Sequence, residues 1–313
     1  MTPYKKIFST VFKAIISFSG LFYIFWKVPL KETMTHWSMN MVPWIVFILF
    51  LTFLSMGIQA NRWRGLLLED GKKVKFRTFY AYIALGYFFN NLLPGGFGGD
   101  AVKTISFGKR FGQTAQSVAA VAVSRIMGLL AMFLCFFIAL PIVLSRFSIP
   151  DYYMIFIIAC SLIALLSVFM FLLLDKIKIP DALAEKIPFI AKLQNAFSVY
   201  RHHKKAFLLS GLDSIWLQVF SILIHFAYFK AVGYSIDLWT ITVFTTITVT
   251  LTMLPISING IGIRENVQVS LYSTLLGIPA DVVLASTLIG YIPLLFQAIQ
   301  GAVVFATLPK KQN

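Results

Sequence analysis

Charged residues are scarce in this chain. Asp, Glu, Lys and Arg make up 12% of the 313 residues, whereas 58% are hydrophobic and the mean hydropathy is +0.82. Soluble domains carry about a quarter charged residues, so this composition disfavours a soluble globular fold. Cysteine and histidine are also scarce, with two and four copies and no CxxC or HExxH spacing. We therefore expect no disulfide framework, no metal site and no cofactor.

Long apolar runs account for this composition. They are residues 8–26, 41–60, 113–144, 152–174, 206–231 and 281–308. Each run approaches or exceeds the roughly 20 residues that a helix needs to cross ~30 Å of hydrocarbon. The runs have no polar face of the kind that a soluble bundle requires. The sequence predicts an all-α polytopic membrane protein with one integral membrane domain, residues 1–313.

Acidic residues are few, 12 against 27 basic ones, and the net charge of +15 is unevenly distributed. Residues 61–77 carry six basic and two acidic side chains and residues 175–205 carry seven and three, whereas 146–151 and 230–237 each sum to zero. The positive-inside rule places the basic segments, including both termini, in the cytoplasm. This distribution disfavours nucleic-acid binding and predicts a multi-pass protein of the cytoplasmic membrane with cytoplasmic N- and C-termini.

Two further segments, 79–110 and 238–277, do not fit as single crossings, because each would move the charged loops after it to the wrong side. We therefore predict that 79–110 enters and leaves from the cytoplasm and that 238–277 does so from outside. The predicted fold has six full transmembrane helices plus two re-entrant helical hairpins in an inverted repeat, with halves of about 1–147 and 148–313. Such repeats are a recurring transporter design. Eight plain spans are the alternative.

A Leu-Pro pair followed by glycines lies in the middle of both segments, in LPGGFGGD at 93–100 and LPISINGIGIRE at 254–265. Pro94 and Pro255 are predicted to end the first half-helices, because proline lacks an N–H group. The glycines, which permit positive φ and close backbone approach, are Gly95, Gly96, Gly98, Gly99, Gly260 and Gly262. The second half-helices are predicted to start near Asp100 and Arg264 and would direct positive dipole ends at an anion such as phosphate. Tight packed turns without a ligand are the alternative.

Ionisable side chains in apolar segments are candidate site residues, since each costs about 2.5–3.5 kcal/mol at a helix centre. They are Asp100, Lys103, Arg125, Asp213, Arg264 and Glu265. We expect the cations Lys103, Arg125 and Arg264 to line a cavity for an anionic headgroup. Asp100 and Glu265 would be their counter-charges. A structural ion-pair network, for example Asp100 with Arg125, is the alternative, and the two roles are compatible.

Other polar residues receive smaller roles. Asn91 and Asn259 are expected to hydrogen-bond either a ligand or the open backbone at the turns. Asp213, near the start of its helix, is expected to have a local partner. Arg62 and Trp63 follow the second apolar run, and interfacial anchoring is the first explanation for them, with headgroup contact as the second. We assign no catalytic residue.

The motifs resemble a known family. They are NLLPGGFGGD at 91–100, Ser124 with Arg125, LPISINGIGIRE at 254–265 and RWRGLL at 62–67, and they are similar to the lysylphosphatidylglycerol synthase transmembrane, or flippase-like, family. The resemblance implies movement of lipids or lipid-linked molecules between leaflets. In full-length synthases a soluble domain that transfers an aminoacyl group from tRNA follows this module. This chain reaches only Asn313, so we expect that domain to be absent and do not expect enzymatic activity.

The expected function is flippase-like transport of a phosphate-bearing or lipid-linked substrate between the leaflets of the cytoplasmic membrane. Its expected partners are membrane lipids, either anionic phospholipid or polyprenyl-phosphate-linked. One alternative is an integral membrane enzyme that modifies a phospholipid headgroup, in the aminoacyl-phosphatidylglycerol synthesis pathway, with Asp100 and Glu265 as its carboxylates. The other is a secondary transporter for a small anion. The lipid, the direction, the energy source and the oligomeric state stay open, a homo-oligomer included.

Overall fold

A computed structural model describes residues 3–92, 98–147, 155–159, 161–163, 165–166, 203–253 and 256–307. Within these ranges the regular structure is entirely helical. The helices are α1 (Pro3–Lys27), α2 (Leu30–Thr35), α3 (Val42–Leu66), α4 (Leu68–Lys72), α5 (Phe76–Leu92), α6 (Gly98–Phe111), α7 (Thr114–Leu144), α8 (Lys204–Ala231), α9 (Leu238–Met253), α10 (Ile263–Leu276), α11 (Ala280–Ile289) and α12 (Tyr291–Thr307), with a 3₁₀ turn at Met39–Met41.

Four helical stretches in the described ranges are long and apolar enough to cross a membrane. They are Met39–Leu66, Gln116–Leu144, Lys204–Ala231 and Ala280–Thr307, and they correspond to four of the six predicted crossings. The first predicted crossing, residues 8–26, lies within α1. Most of the predicted crossing 152–174 falls outside the described residues. The protein is therefore a membrane-embedded, multi-pass helical protein.

The last predicted crossing is not one straight helix. It divides at Gly290 into α11 and α12, and the N–H of Gly290 bonds to the carbonyl of Thr287 at 3.0 Å rather than one residue further back. Pro293, in the first turn of α12, has no N–H to donate to the preceding turn. The proline and the glycine together explain a break that the run of apolar residues did not predict.

The two segments predicted to turn back form antiparallel helix pairs. In the first pair, α5 and α6, the ring of Phe79 lies 5.0 Å from that of Phe107, and Gly86 near the other end of α5 approaches Gly99. In the second pair, α9 and α10, Phe244 lies 4.9 Å from Tyr272. These helices have 17, 14, 16 and 14 residues, fewer than the ~20 that a full crossing needs.

The packing of the first half of the chain has equivalents in the second. Helix α3 packs on α5 as α8 packs on α9, and α6 packs on α7 as α10 packs on α11. The first helix of each pair also packs on the long helix of the other half, α5 on α12 and α9 on α7. Helices α3 and α8 pack on each other between the halves.

Polar contacts bring together loops that the charge pattern assigns to one side. Arg146, after α7, lies 3.3 Å from Asp237, before α9. At the start of α11, Asp281 contacts His36 at 2.6 Å. At the end of α3, Arg62 donates from Nη1 to the hydroxyl of Ser214 in α8, at 2.8 Å. The first two contacts join segments predicted to be external, and the third joins the end of α3 to a residue within the predicted crossing 206–231.

Candidate functional site

Asp100 is the centre of a charged cluster formed by the first antiparallel pair and α7. It is the third residue of α6, and its Oδ1 lies 2.5 Å from Nζ of Lys103, one turn further along the helix. Its Oδ2 accepts a hydrogen bond from Nε of Arg125 at 2.7 Å and also contacts Nη2 of Arg125. One carboxylate therefore holds two cations from different helices, as the structural alternative predicted.

The three side chains differ in how accessible they are. The side chains of Asp100 and Lys103 each retain 12% of their surface, whereas that of Arg125 retains 43%. Arg125 is the twelfth residue of the 31-residue helix α7, about 17 Å from the helix start at 1.5 Å per residue. Of the three, Arg125 has the most room to bind an anion from outside the cluster.

This cluster forms one wall of a cavity of about 370 Å³, the central cavity. Its polar lining consists of Gln59, Arg62, Tyr87, Asn90, Asp100, Lys103, Ser124, Arg125, Gln218 and Asn259. Three of these residues, Arg62, Lys103 and Arg125, are basic, and one, Asp100, is acidic. Such an excess of positive charge in an apolar bundle favours an anionic ligand, because a bound anion lowers the cost of burying a cation that has no protein counter-charge.

Arg62 is the third cation, and its role differs from the one expected. Its Nη1 donates to Ser214, and its Nε is buried without a hydrogen-bond partner in the described part of the chain. Its neighbour Trp63 is 2% exposed and packs against the rings of Phe79 and Phe107 at 5.4 and 4.9 Å. The explanation of Trp63 as an interfacial anchor is wrong, because α5 and α6 cover it. The segment points Arg62 inward instead.

The two helix pairs meet at their turns. Asn259 donates from Nδ2 to Oδ1 of Asn91 at 3.0 Å, and the backbone carbonyl of Asn259 accepts from Nη2 of Arg264, also at 3.0 Å. Asn91 donates in turn to the carbonyl of Leu294 in α12, at 3.4 Å. The asparagines predicted at these turns therefore bond the backbone and each other.

The second turn is held by its own glutamate. Glu265 has no exposed surface, and its carboxylate accepts from the N–H of Gly262 at 2.7 Å and from the hydroxyl of Tyr291 at 2.8 Å. Gly262 has φ +83°, and a Cβ there would lie 2.6 Å from the carbonyl oxygen of Ser17, so α1 and the turn approach too closely for any side chain. Glu265 thus caps α10.

Arg264 belongs to a second cavity, of about 500 Å³. The polar lining of this second cavity includes Thr52, Ser55, Gln59, Tyr87, Ser221, His225, Thr252, Arg264, Gln268 and Gln297. Gln59 and Tyr87 line both cavities. Nε2 of Gln59 donates to the hydroxyl of Tyr87 at 2.7 Å, and this hydroxyl donates to Oε1 of Gln59 at 3.0 Å. This hydrogen-bonded pair separates the cavity of Arg125 from that of Arg264.

Three backbone N–H groups at the described parts of the turns already have side-chain acceptors. The N–H of Gly99 donates to Oδ1 of Asn90 at 2.8 Å, that of Gly262 to Glu265, and that of Ile258 to the hydroxyl of Ser17 at 2.8 Å. These three groups are therefore not available to an anion. The helix starts themselves, Gly98 and Ile263, lie within two residues of the expected positions.

The structure thus divides the predicted site residues. Asp100, Lys103, Arg125 and Asn259 share the central cavity, and Arg264 lies in the second. The remaining predicted residues in the described ranges, Asn91, Gly98, Gly99, Gly260, Gly262 and Glu265, shape the turns. Pro94, Gly95, Gly96 and Pro255 lie outside the described residues.

Several residues that line the central cavity were not predicted as site residues, among them Gln59, Arg62, Tyr87 and Gln218. Gln59 had a readable signal, because it is a polar residue in an apolar run, three positions before Arg62 and so on the same helix face. Tyr87 carried none, since a tyrosine in an aromatic run has the same pattern as a packed one.

Comparison with known proteins gives a family. The family model for the "Lysylphosphatidylglycerol synthase TM region" matches residues 10–301. No curated protein matches the chain.

Proposed function

Since the chain belongs to the lysylphosphatidylglycerol synthase TM region family, we propose that it is a flippase-like transporter that moves a phosphate-bearing or lipid-linked substrate between membrane leaflets. The observation that carries the proposal is the central cavity, in which Arg62, Lys103 and Arg125 face a single carboxylate. A phosphate is the ligand whose charge and acceptor oxygens fit this lining, and arginine is well suited to bind it. The lipid tails would stay in the bilayer.

The proposed membrane topology follows from the charge pattern and the helix pairs. The short helices α5 to α6 and α9 to α10 would be re-entrant hairpins that enter from opposite sides, in an inverted repeat with halves of about 1–147 and 148–313. Both termini would be cytoplasmic, in the cytoplasmic membrane. The equivalent packing of the two halves and the contact between Asn91 and Asn259 support this arrangement. Non-helical turns at membrane depth are stable where protein or a water-filled cavity surrounds them.

The mechanism we propose uses the two cavities in turn. An anionic headgroup in the central cavity would take the place of Asp100 on Arg125, the most exposed cation of the cluster. Passage to Arg264 requires the hydrogen bonds between Gln59 and Tyr87 to open. Rocking of the halves would open the cavities alternately, as in other repeat-built transporters.

The test is the leaflet distribution of labelled lipids in reconstituted vesicles. The substrates are fluorescent phosphatidylglycerol, aminoacylated phosphatidylglycerol and polyprenyl phosphate, and an impermeant quencher reports the outer leaflet. We expect the wild type to accelerate at least one of them and Arg125→Ala to reduce that rate about 10- to 100-fold, the effect of losing a charged hydrogen bond. Arg146→Ala, an exposed arginine outside the cavities, is the matched control and should match the wild type.

Two results would contradict the proposal. In the first, none of the three lipids moves faster than in empty vesicles and Arg125→Ala is indistinguishable from the wild type. In the second, the protein admits inorganic phosphate into the vesicle lumen without moving any lipid, which would favour the small-anion transporter instead.

A further inference from the structure

A third cavity lies at the end of the bundle that the charge pattern assigns to the cytoplasm. This basic pocket has a volume of about 430 Å³ and opens between the end of α3, α4 and the start of α8. The family motifs and the predicted site residues do not include most of its lining.

The lining of the basic pocket is strongly cationic. It contains four cationic side chains, those of Arg62, Arg64, Lys72 and Lys205, against the single carboxylate of Asp213, and His203 also lines it. That carboxylate accepts a hydrogen bond from Nδ2 of Asn61 at 3.3 Å. Arg64 is fixed in place, since its Nε donates to the carbonyl of Gly71 at 3.2 Å and so ties α3 to α4. A concave site with this charge attracts an anion of high charge density such as a phosphate.

One wall of the basic pocket is apolar and faces outward. Leu209 lines the pocket and is 50% exposed, and its neighbours on α8, Leu208 and Leu212, are 66% and 55% exposed. Exposed leucines on a membrane-spanning helix contact lipid chains. A lipid whose headgroup occupies the pocket would therefore place its acyl chains beside α8. A free anion has no acyl chain to contact this apolar wall.

Arg62 connects the basic pocket to the central cavity, because it lines both. The three cavities follow one another along α3. On α3, the second cavity is lined by Thr52, Ser55 and Gln59, and the central cavity by Gln59 and Arg62. The basic pocket is lined by Asn61, Arg62, Arg64 and Gly65. From Thr52 to Gly65 the helix rises about 20 Å, which is most of the ~30 Å hydrocarbon thickness.

We propose that the basic pocket is a docking site for the phosphate-bearing headgroup of a lipid in the adjacent leaflet, occupied before the headgroup passes Arg62 into the central cavity. The inference rests on the proposed function for its place in a transport path. Binding to the pocket itself does not require that any lipid crosses the membrane. The docking site and the proposed lipid transport can therefore be refuted independently.

The experiment measures binding to the purified full chain in dodecyl maltoside, an uncharged detergent, by isothermal titration. The probes are dihexanoylphosphatidylglycerol and inorganic phosphate. Lys72→Gln/Lys205→Gln removes two positive charges from exposed positions in the pocket. Lys109→Gln/Arg110→Gln removes two from exposed positions at the end of α6, outside the pocket, and is the matched control.

We expect the pocket variant to bind the short-chain lipid about 10- to 30-fold more weakly than the wild type, at roughly tenfold or less per charge. The control should bind within about twofold of the wild type. The same loss should appear in an Arg125→Gln background, where the central cavity is impaired. Both double variants should keep the wild-type unfolding temperature, because the substituted side chains are exposed.

Three outcomes would overturn the proposal. The first is equal lipid affinity in the pocket variant and the control. The second is complete loss of lipid binding in Arg125→Gln alone, which would leave the central cavity as the whole site. In the third, inorganic phosphate binds the wild type as tightly as the lipid does and shows the same loss in the pocket variant, so that the pocket takes a free anion and its apolar wall has no role.

Discussion

Asn259 donates a hydrogen bond from Nδ2 to Oδ1 of Asn91, at 3.0 Å, although the two residues are 168 positions apart. The contact joins the turns of the two antiparallel helix pairs, and through the second bond of Asn91 it reaches α12. The two halves of the protein are therefore linked by polar contacts at the point where their broken helices meet.

Asn91→Ala should lower the free energy of unfolding by about 1–2 kcal/mol, because it removes two hydrogen bonds and leaves the amide of Asn259 without this acceptor. Thermal unfolding of the purified protein in detergent measures the loss. Asn40→Ala, at an exposed position in the 3₁₀ turn, should leave the unfolding temperature unchanged. Equal melting of both variants would show that the contact between the turns adds no stability.

Asp100→Asn should destabilise the protein more than Arg125→Gln does, by about 2–3 against about 1 kcal/mol. Loss of Asp100 leaves both Lys103 and Arg125 without this carboxylate, whereas loss of Arg125 leaves Asp100 paired with Lys103. In the double variant Asp100→Asn/Arg125→Gln the loss should be smaller than the sum of the two single losses. Denaturant titrations of the four proteins test this, and additive losses would contradict a coupled pair.

Gly99→Ala should prevent normal packing of α5 against α6, with a loss of at least about 3 kcal/mol. A Cβ at this position would lie 1.8 Å from the carbonyl oxygen of Gly86. Gly57→Ala makes the matched control, since no atom lies within 4 Å of its Cβ and the residue is inside α3. It should gain up to about 1 kcal/mol. If the unfolding temperatures of Gly99→Ala and Gly57→Ala rise or fall together, the close approach of Gly99 to Gly86 is refuted.

Tyr87→Phe should increase the rate of lipid movement about fivefold, since it removes the hydroxyl that bonds to Gln59 between the two cavities and that bond is worth about 1 kcal/mol. Tyr80→Phe is a control on the same helix, because its hydroxyl bonds to Gln300 at 2.7 Å and lines neither cavity. Vesicle assays should find the wild-type rate in Tyr80→Phe. If lipid movement in Tyr87→Phe is no faster than in Tyr80→Phe, the hydrogen bond between Tyr87 and Gln59 is not a barrier to that movement.

Cysteine labelling tests the topology. In a Cys135→Ser/Cys160→Ser background, cysteines at the exposed positions Lys75 and Lys109 flank the first helix pair, and those at Ser235 and Pro279 flank the second. An impermeant maleimide should label the first two from the cytoplasmic side only and the second two from the outside only. Labelling of Lys75→Cys and Lys109→Cys from opposite sides would support eight plain spans.

Much of the fold follows from the sequence because apolar length and charge position are read without knowledge of packing. The runs of apolar residues predicted α3, α7 and α8, and the glycine and proline motifs predicted helix starts within two residues of Gly98 and Ile263. The sequence did not predict the break at Gly290, because a proline is also common near the start of helices that follow no such break.

The site was harder to predict, since it depends on which helices become neighbours. Asp100 and Arg125 could be paired in advance because both are charged and lie in consecutive helices. Arg62 and Trp63 were assigned by their place at the end of an apolar run. Only the position of α5 and α6 against the end of α3 shows that Trp63 is covered and that Arg62 faces the cavities.

The contact between α1 and the second turn has a consequence for synthesis. Ser17 accepts a hydrogen bond from Ile258, 241 residues later, and Gly20 packs against Gly262. At about 5–20 residues per second, the ribosome needs roughly 12–50 s to make that stretch. Helix α1 therefore cannot make this contact until the ribosome has synthesised the second turn.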